Sequence, residues 1–179
     1  MVECLRGNED IHEYFAQQIR DADVLVYGRK TYQLMVPFWP DVAKNQTGET
    51  KSINDFAQAF AGVKQIVVFS RTLEKAEEKN TRIVRTDLKD EILKLKQEPG
   101  KDILVGGVDL PSQLMELDLI DEYRFVIHPV VVGEGRRLLE GISLQEKLQL
   151  KLADSKVFKS GCVALEYVRN SEGVVIAAA

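Results

Sequence analysis

A short apolar run followed by two glycines constrains the fold of this chain more than any other stretch. Residues 103–105 are Ile-Leu-Val, and Gly106 and Gly107 follow them directly. A continuous run of branched apolar residues predicts a short strand that is buried on both faces. Leucines then recur at helical spacing from Leu110 onward. The stretch therefore predicts a strand, a glycine turn and a helix.

Two interpretations of this turn are open. Glycine has no Cβ, so a ligand can contact its backbone, and the start of a helix offers unpaired N–H groups and the positive end of the helix dipole. Under this interpretation Gly106 and Gly107 begin a phosphate cradle. Under the other, they only make a tight turn from strand to helix. A single Gly-Gly pair does not distinguish the two.

A second apolar run, residues 24–27, also ends in a glycine. Gly28 is followed at once by Arg29, Lys30 and Thr31. Cations and hydroxyl groups are the usual partners of phosphate, so these residues form a candidate anion site. The alternative is a solvated turn with a basic rim.

A third apolar run, residues 65–69, is followed by Ser70 and Arg71. In an open α/β sheet, ligands bind beyond the carboxyl ends of the strands. If the three strands are parallel, their exits lie on one side of the molecule and can hold several anionic groups. Arginines beside a glycine turn suit NADPH, whose 2′-phosphate requires a cation. The usual G-x-G-x-x-G fingerprint is missing, so an ordinary Rossmann domain is not expected.

Composition excludes several classes of protein. The chain has 179 residues, a formal net charge of −4 and no basic run, which argues against a nucleic-acid-binding surface. It contains no apolar stretch of the length that crosses a membrane. Cys4 and Cys162 are isolated, which predicts a reduced, cytoplasmic protein. Because His12 and His128 are the only histidines and lie far apart in the sequence, no zinc site is expected.

The order of patterns predicts an α/β fold with a three-layer arrangement. Strand patterns alternate with helical ones up to about residue 117, and antiparallel strands with a hairpin turn at 159–161 follow. We therefore expect a mostly parallel central sheet with an antiparallel C-terminal edge and helices on both faces. Residues 35–52, with two prolines around Phe38 and Trp39, are expected to be irregular. Residues 1–179 are expected to form one domain, with 170–179 as a tail.

Four stretches, in this order, resemble the motifs of the dihydrofolate reductase-like fold. They are residues 26–32, 70–71, 106–107 and 119–135. In particular, they are similar to the reductase domain of the bifunctional riboflavin-biosynthesis deaminase–reductase, the RibD C-terminal domain, and to its stand-alone bacterial relatives. The resemblance spans about residues 11–168.

This resemblance implies an NADPH-dependent reductase that commonly forms a homodimer. It implies that one group of residues holds the adenosine-side phosphates: Gly28, Arg29, Lys30, Thr31, Ser70 and Arg71. It also implies that a second group wraps the pyrophosphate: Gly106, Gly107, Val108, Asp109 and Leu110. The implied reaction is hydride transfer to a pyrimidine- or pterin-like small molecule, as in 5-amino-6-(5-phosphoribosylamino)uracil reductase. A catalytically impaired nucleotide-binding module of the same fold is the alternative.

The chain departs from this family near the reaction centre. Members usually open with a strand and a Ser-Leu-Asp-Gly loop, whereas this chain begins close to the following helix and contains no such motif. Residues 173–179 read like such a first strand without its loop. They either occupy the missing strand's place, in this chain or in a partner, or take no part in the fold. No catalytic residue is identified; His12 is expected to be solvated and His128 structural. Arg136 and Arg137 either meet a substrate phosphate or lie on a solvated surface.

Overall fold

The computed structural model describes residues 9–76, 78–135, 138–139, 141–144 and 147–170. The helices are α1 (Glu9–Arg20), α2 (Arg29–Met35), α3 (Phe38–Asn45), α4 (Lys51–Ala61), α5 (Leu88–Gln97) and α6 (Asp109–Glu116). The strands are β1 (Ala22–Gly28), β2 (Gln65–Phe69), β3 (Thr81–Val84), β4 (Asp102–Val105), β5 (Glu122–Ile127), β6 (Leu150–Val157) and β7 (Val163–Arg169). Cys4, Arg136, Arg137 and the tail 173–179 lie outside the described residues.

The first four strands form a parallel sheet in the order β3-β2-β1-β4. In the register of this sheet, Gly28 pairs with Phe69, and Phe69 pairs with Val84. On the other side of β1, Val26 pairs with Val105. The last residues of the four strands therefore lie along one edge, which we call the carboxyl edge.

The remaining three strands form a second, antiparallel sheet in the order β5-β7-β6. The predicted α/β fold, with parallel strands first and antiparallel strands last, is confirmed. The antiparallel strands differ from the expectation in one respect: they form a sheet of their own, because no backbone hydrogen bonds join β4 to β5 among the described residues.

Helices cover both faces of the parallel sheet, as expected from the continuous apolar runs in its strands. Leu25 and Tyr27 of β1 face a core built with α1, α2, α3 and α4. Val24 and Val26 face the opposite core, which is built with α5 and α6. This alternation fixes the direction of every side chain at the carboxyl edge.

Strand β4 is less buried than its sequence predicts. Residues 103–105 were expected to be buried on both faces, yet all three are only half-buried. The reason is position: β4 is the outer strand of the parallel sheet, whereas β1 and β2 lie inside it. An apolar run thus predicted the strand correctly but not its place at an edge.

The expectation of irregular structure over 35–52 is wrong, because α3 lies within this region. Pro37 is the N-cap of α3 and Pro40 lies in its first turn, positions where the missing N–H of proline costs nothing. Trp39 is buried in the core and its ring meets Phe56 edge-on, with centroids 4.5 Å apart. The aromatic pair between the prolines is therefore part of a helix and not of an extended loop.

The expectation that His12 is solvated is wrong. His12 is only 6% exposed, and its ring meets Phe56 edge-on. Phe56 belongs to α4, whose N-cap Thr50 accepts a hydrogen bond from the amide of Ile53 through its side chain. Residues 130–132 lie beyond the end of β5 and are exposed.

Candidate functional site

The carboxyl edge brings together the three strand exits that the sequence predicts as anion sites. Gly28 ends β1 in the middle of this group. Ser70 follows β2 on one side, and Gly106 follows β4 on the other. The edge is continuous, since the amide of Ser70 donates to Val84 O at 3.1 Å and that of Gly106 donates to Val26 O at 3.1 Å.

The glycine pair is required by the packing of the protein itself. A Cβ on Gly106 would lie 2.6 Å from Cε1 of Tyr27, which is far inside van der Waals contact. Gly107 has φ +102°, and its Cβ would lie 2.7 Å from Oγ1 of Thr31. Two of the predicted sites therefore touch, because Gly107 lies directly against the first turn of α2.

Gly28 differs from these two glycines. Its φ is −78° and its ψ is 161°, an extended conformation that any residue adopts. A Cβ built on Gly28 meets no atom within 4 Å. The fold therefore does not require glycine at this position, and the space in front of it is open to a ligand.

Two helices begin at the carboxyl edge without a side-chain cap. Gly28, the N-cap of α2, has no side chain, and the side chain of Val108, the N-cap of α6, accepts no hydrogen bond. By contrast, Thr50 and Asp87 cap α4 and α5 with their side-chain oxygens. The N-cap residues therefore leave the starts of α2 and α6 uncapped, and the helix dipole favours an anion there.

Each predicted residue of the α6 turn has a definite place. Val108 is half-buried and Asp109 is exposed in the first turn. Leu110 is buried in the core, so its side chain faces the protein and only its backbone reaches the edge. Asp109 is the one acid of this group, and its carboxylate would disfavour a phosphate at that corner of the turn.

Cations lie beside these amides on the exposed surface. Arg29 donates from Nη1 to Oε1 of Gln33 at 3.1 Å, and Lys30 is exposed. Arg71 is exposed and makes no hydrogen bond or ion pair with the residues that the structure describes. The anionic partner that such a group requires can therefore come from a ligand.

Ser70 orders the turn that carries Arg71. Its Oγ accepts hydrogen bonds from the amides of Thr72 at 3.2 Å and Leu73 at 2.9 Å. Arg85 then donates from Nη2 to Leu73 O at 2.6 Å, which brings a second arginine over the same turn. Sequence reasoning missed Arg85, although it follows β3 just as Arg71 follows β2.

Tyr27 lies beneath the glycine turn as a buried phenol. It is 6% exposed, and its ring stacks on Phe60 with centroids 6.5 Å apart. Burial raises the pKa of the Tyr27 phenol far above its ordinary value, so the group stays protonated at neutral pH. Its ring holds the backbone of Gly106 in place from below.

His128 contacts a buried cysteine. Its Nδ1 lies 3.4 Å from Sγ of Cys162, which is 1% exposed. No group of three His, Cys, Asp or Glu residues suited to a metal ion occurs in the part of the chain that the structure describes. Within the same residues, no helix is long and apolar enough to cross a membrane.

Two depressions lie away from the carboxyl edge. One, of about 400 Å³, lies at the amino ends of the strands and is lined by residues that include Asp23, Thr81 and Lys101. The other, of about 650 Å³, lies between α1, α4 and the turn that contains Ser160. In the first depression, Asp23 Oδ2 accepts a hydrogen bond from the Lys101 amide at 3.1 Å and lies 3.7 Å from Lys64 Nζ. The uncapped helices and exposed cations favour the carboxyl edge as the binding site.

Comparison with known proteins identifies the family to which this architecture is related. The family model described as the RibD C-terminal domain matches residues 6–164. The chain is 34% identical over 154 residues to the uncharacterized protein YyaP of Bacillus subtilis (strain 168), covering 86% of this chain and 77% of YyaP. It is 27% identical over 151 residues to the uncharacterized protein YwjB of the same organism, covering 82% and 74%.

Solved structures share the fold at lower identity. A putative riboflavin biosynthesis protein from Shewanella sp. PV-4 has a TM-score of 0.66 and 21% identity, with 87% of this chain and 78% of that chain covered. RibD of Acinetobacter baumannii, in one crystal form, has a TM-score of 0.61 and 16% identity. That likeness covers 94% of this chain but only 51% of RibD.

Proposed function

This chain belongs to the RibD C-terminal domain family, a reductase-like family, and we propose that it is an NADPH-dependent reductase. Its substrate would be a pyrimidine- or pterin-like small molecule. A bifunctional deaminase and 5-amino-6-(5-phosphoribosylamino)uracil reductase from Thermotoga maritima shares the fold, with a TM-score of 0.57 at 14% identity. Because that identity is low, the substrate class is part of the proposal.

One observation carries this proposal: the convergence of the glycine turn, the uncapped helices and the cations at the carboxyl edge. Gly107 lies against Thr31, so the starts of α6 and α2 form one continuous surface of backbone amides. A pyrophosphate carries adjacent anionic groups that can each accept from one helix start. The glycines leave the backbone accessible, as such an approach requires.

The proposed assignment of the two cofactor ends follows from where the cations lie. The pyrophosphate would lie against the turn from Gly106 to Leu110, beside Thr31. The adenosine-side phosphate would lie over β2, where Arg71 has no partner among the described residues and Arg85 is held nearby through Leu73. Two arginines at one end would favour NADPH over NADH, because only NADPH carries the 2′-phosphate.

When bound, the dihydronicotinamide would supply a hydride to a carbon–nitrogen or carbonyl centre. The protein's part is to hold the cofactor at its phosphates and to orient its ring along the carboxyl edge. Tyr27 supports the backbone of Gly106 and so fixes the position of the amides that follow. No described side chain needs to act as a nucleophile.

Cofactor binding is tested by titrating the purified chain with NADPH and with NADH under identical salt conditions. The proposal predicts saturable NADPH binding and NADH binding weaker by tenfold or more, the lower limit for loss of a contact to a charged group. Absence of NADPH binding would refute both the reductase and the alternative below.

The alternative is a nucleotide-binding module of the same fold that does not catalyse hydride transfer. Turnover assays with the riboflavin-pathway pyrimidine intermediate and with dihydrofolate, followed through NADPH oxidation, separate the two. Oxidation above the no-enzyme rate supports the reductase, whereas tight NADPH binding without oxidation of either substrate supports the module.

We also propose that the protein is a homodimer, joined through one face of the antiparallel sheet. This face carries apolar side chains in cross-strand rows, such as Ile127, Val163 and Val157. Ile127 is 55% exposed and Val157 is 76% exposed. A contiguous apolar surface of this kind is typical of an interface between protein chains.

Light scattering after size-exclusion chromatography tests this dimer. Val157→Glu should convert the dimer to a monomer, because it places a charge in the apolar face. Val131→Glu is the matched control, since Val131 is fully exposed and lies outside the sheet. A wild-type protein that is monomeric at 100 times its assay concentration would contradict the proposal.

A further inference from the structure

Tyr27 places a phenol at the carboxyl edge, on the side of the sheet that α1 to α4 cover. It precedes Gly28 at the end of β1, and its side chain is 6% exposed. Its ring stacks on that of Phe60, which is 1% exposed, with the two ring planes 17° apart. The packing of Phe60 therefore fixes the orientation of the Tyr27 ring.

The hydroxyl group of Tyr27 has no partner among the residues that the structure describes. Its Oη makes no hydrogen bond with them, and burial alone raises the pKa of the phenol. By contrast, the Tyr14 hydroxyl donates to Oε1 of Glu166 at 2.8 Å. Buried tyrosine hydroxyls usually find a hydrogen-bond partner. A phenylalanine would make the same ring contacts, so core packing does not explain the hydroxyl group.

This hydroxyl group is nevertheless not sealed inside the core. Within the described ranges, Oγ1 of Thr81 is the one buried side-chain oxygen or nitrogen that is closed to solvent and has no hydrogen bond. Because Tyr27 Oη also lacks a hydrogen bond, solvent must reach it. Tyr27 thus ends in a free donor at the mouth of a side chain that is otherwise buried, where a small molecule can meet it.

The Tyr27 ring lies against β4, the outer strand of the parallel sheet. Val26 pairs with Val105, so Tyr27 and Gly106 are neighbours on adjacent strands. A Cβ on Gly106 would lie 2.6 Å from Cε1 of Tyr27 and 3.7 Å from Cζ, the atom that carries the hydroxyl group. The hydroxyl group therefore lies beside the backbone of the glycine turn, at the β4 end of the carboxyl edge.

This end of the edge is where the reacting ring of the proposed cofactor would lie. With its adenosine-side phosphate over β2 and its pyrophosphate against the turn after β4, the rest of the molecule would continue past β4. No other described strand of the parallel sheet lies beyond β4, and Gly106 and Gly107 are half-buried and exposed. A planar heterocycle in this place would come within reach of the Tyr27 hydroxyl group.

We propose that Tyr27 orients this heterocycle by donating a hydrogen bond from Oη to a carbonyl oxygen or ring nitrogen. The inference rests on the proposed reductase function. The acceptor belongs to the nicotinamide carboxamide or to the substrate ring, because the two rings lie in contact during hydride transfer. Since Phe60 already holds the phenol, little side-chain freedom is lost when the hydrogen bond forms.

Tyr27→Phe tests this role, because it removes the hydroxyl group and keeps the ring. Loss of a hydrogen bond between neutral groups should raise the Kd for NADPH about three- to tenfold. The same dinucleotide without its nicotinamide, 2′-phosphoadenosine diphosphoribose, should bind the variant and the wild type equally. Tyr123→Phe is the matched control and should leave both Kd values unchanged. Tyr123 is also buried, but it lies at the start of β5, where Asp121 pairs with Lys96 at the opposite end of the strands.

The remaining outcomes decide between the two acceptors or overturn the inference. An unchanged Kd for NADPH with a three- to tenfold rise in KM for the substrate would assign the acceptor to the substrate ring. An unchanged Kd for NADPH with no rise in KM would overturn the inference. Equal weakening of NADPH and of the nicotinamide-free dinucleotide would also overturn it, because Tyr27 would then act only through the backbone of Gly106. A wild-type protein that binds no NADPH would instead refute the proposed function, and this inference with it.

Discussion

The glycine at the centre of the carboxyl edge gives the sharpest test of a ligand site, because the fold does not require it. In Gly28→Ala the added Cβ meets no atom within 4 Å, and φ of −78° is ordinary for alanine. Alanine in place of glycine stabilises the folded state by about 0.4–1 kcal/mol, because it restricts the conformations of the unfolded chain. The loss of glycine as the N-cap of α2 costs a similar amount. The free energy of unfolding should therefore change by less than about 1 kcal/mol.

Binding should respond quite differently. The methyl group fills the open space in front of the α2 amides and keeps a phosphate from hydrogen-bond distance. Loss of one hydrogen bond to a charged group costs about 1.5–3 kcal/mol, which is a tenfold or greater rise in the Kd for NADPH. Gly28→Ala is thus predicted to raise the Kd for NADPH while the free energy of unfolding stays nearly constant.

The assay pairs urea denaturation with calorimetric titration of NADPH on the same protein sample. Gly62→Ala serves as the matched control, because Gly62 ends α4 near the amino end of β2, far from the edge. The control should leave the Kd unchanged. Equal affinity of Gly28→Ala and wild type would refute the role of the α2 start in phosphate binding.

Three further predictions concern single residues. Arg71→Ala should raise the Kd for NADPH by tenfold or more and leave that for NADH unchanged; equal losses in parallel titrations would show that no 2′-phosphate binds there. Gly107→Ala should lower the free energy of unfolding by more than about 1 kcal/mol in urea, because φ is +102° and the Cβ meets Thr31; an unchanged midpoint would contradict this. The raised pKa of Tyr27 stabilises the fold below about pH 10, where the phenol is protonated in both states, and this contribution is lost as pH rises further. Tyr27→Phe should therefore show a shallower loss of stability above about pH 10 than wild type, and identical slopes would exclude this cause.

The parallel sheet was predictable because β1 and β2 have continuous apolar runs at their centres. Runs such as 24–27 and 66–69 are typical of strands covered on both faces, and β1 and β2 are such strands. The outer position of β4 was not predictable, because an apolar run carries no information about its neighbours. Helix α3 was missed for a related reason: proline at a helix start resembles proline in a loop when the cap is not yet known.

The candidate site was also predictable only in part. The glycines and cations at the ends of the strands can be recognised in the sequence. Parallel pairing of the strands then places these residues on one edge of the sheet. Contacts such as that of Gly107 with Thr31 depend on the register between β1 and β4, which the sequence does not reveal. Arg85 was missed because its importance comes from a hydrogen bond to Leu73 across the turn. His12 was misplaced because its helix face meets α4 and not solvent.

Titration of the ¹⁵N-labelled chain with NADPH, followed by two-dimensional amide NMR, tests the central claim most directly. The site at the carboxyl edge predicts that the largest shifts occur at Gly28, Gly106 and Gly107 and in the first turns of α2 and α6. Amides at the opposite ends of the strands, such as those of Gly100 and Lys101, should not move. Shifts centred on that opposite end, or no shifts at saturating NADPH, would contradict the claim.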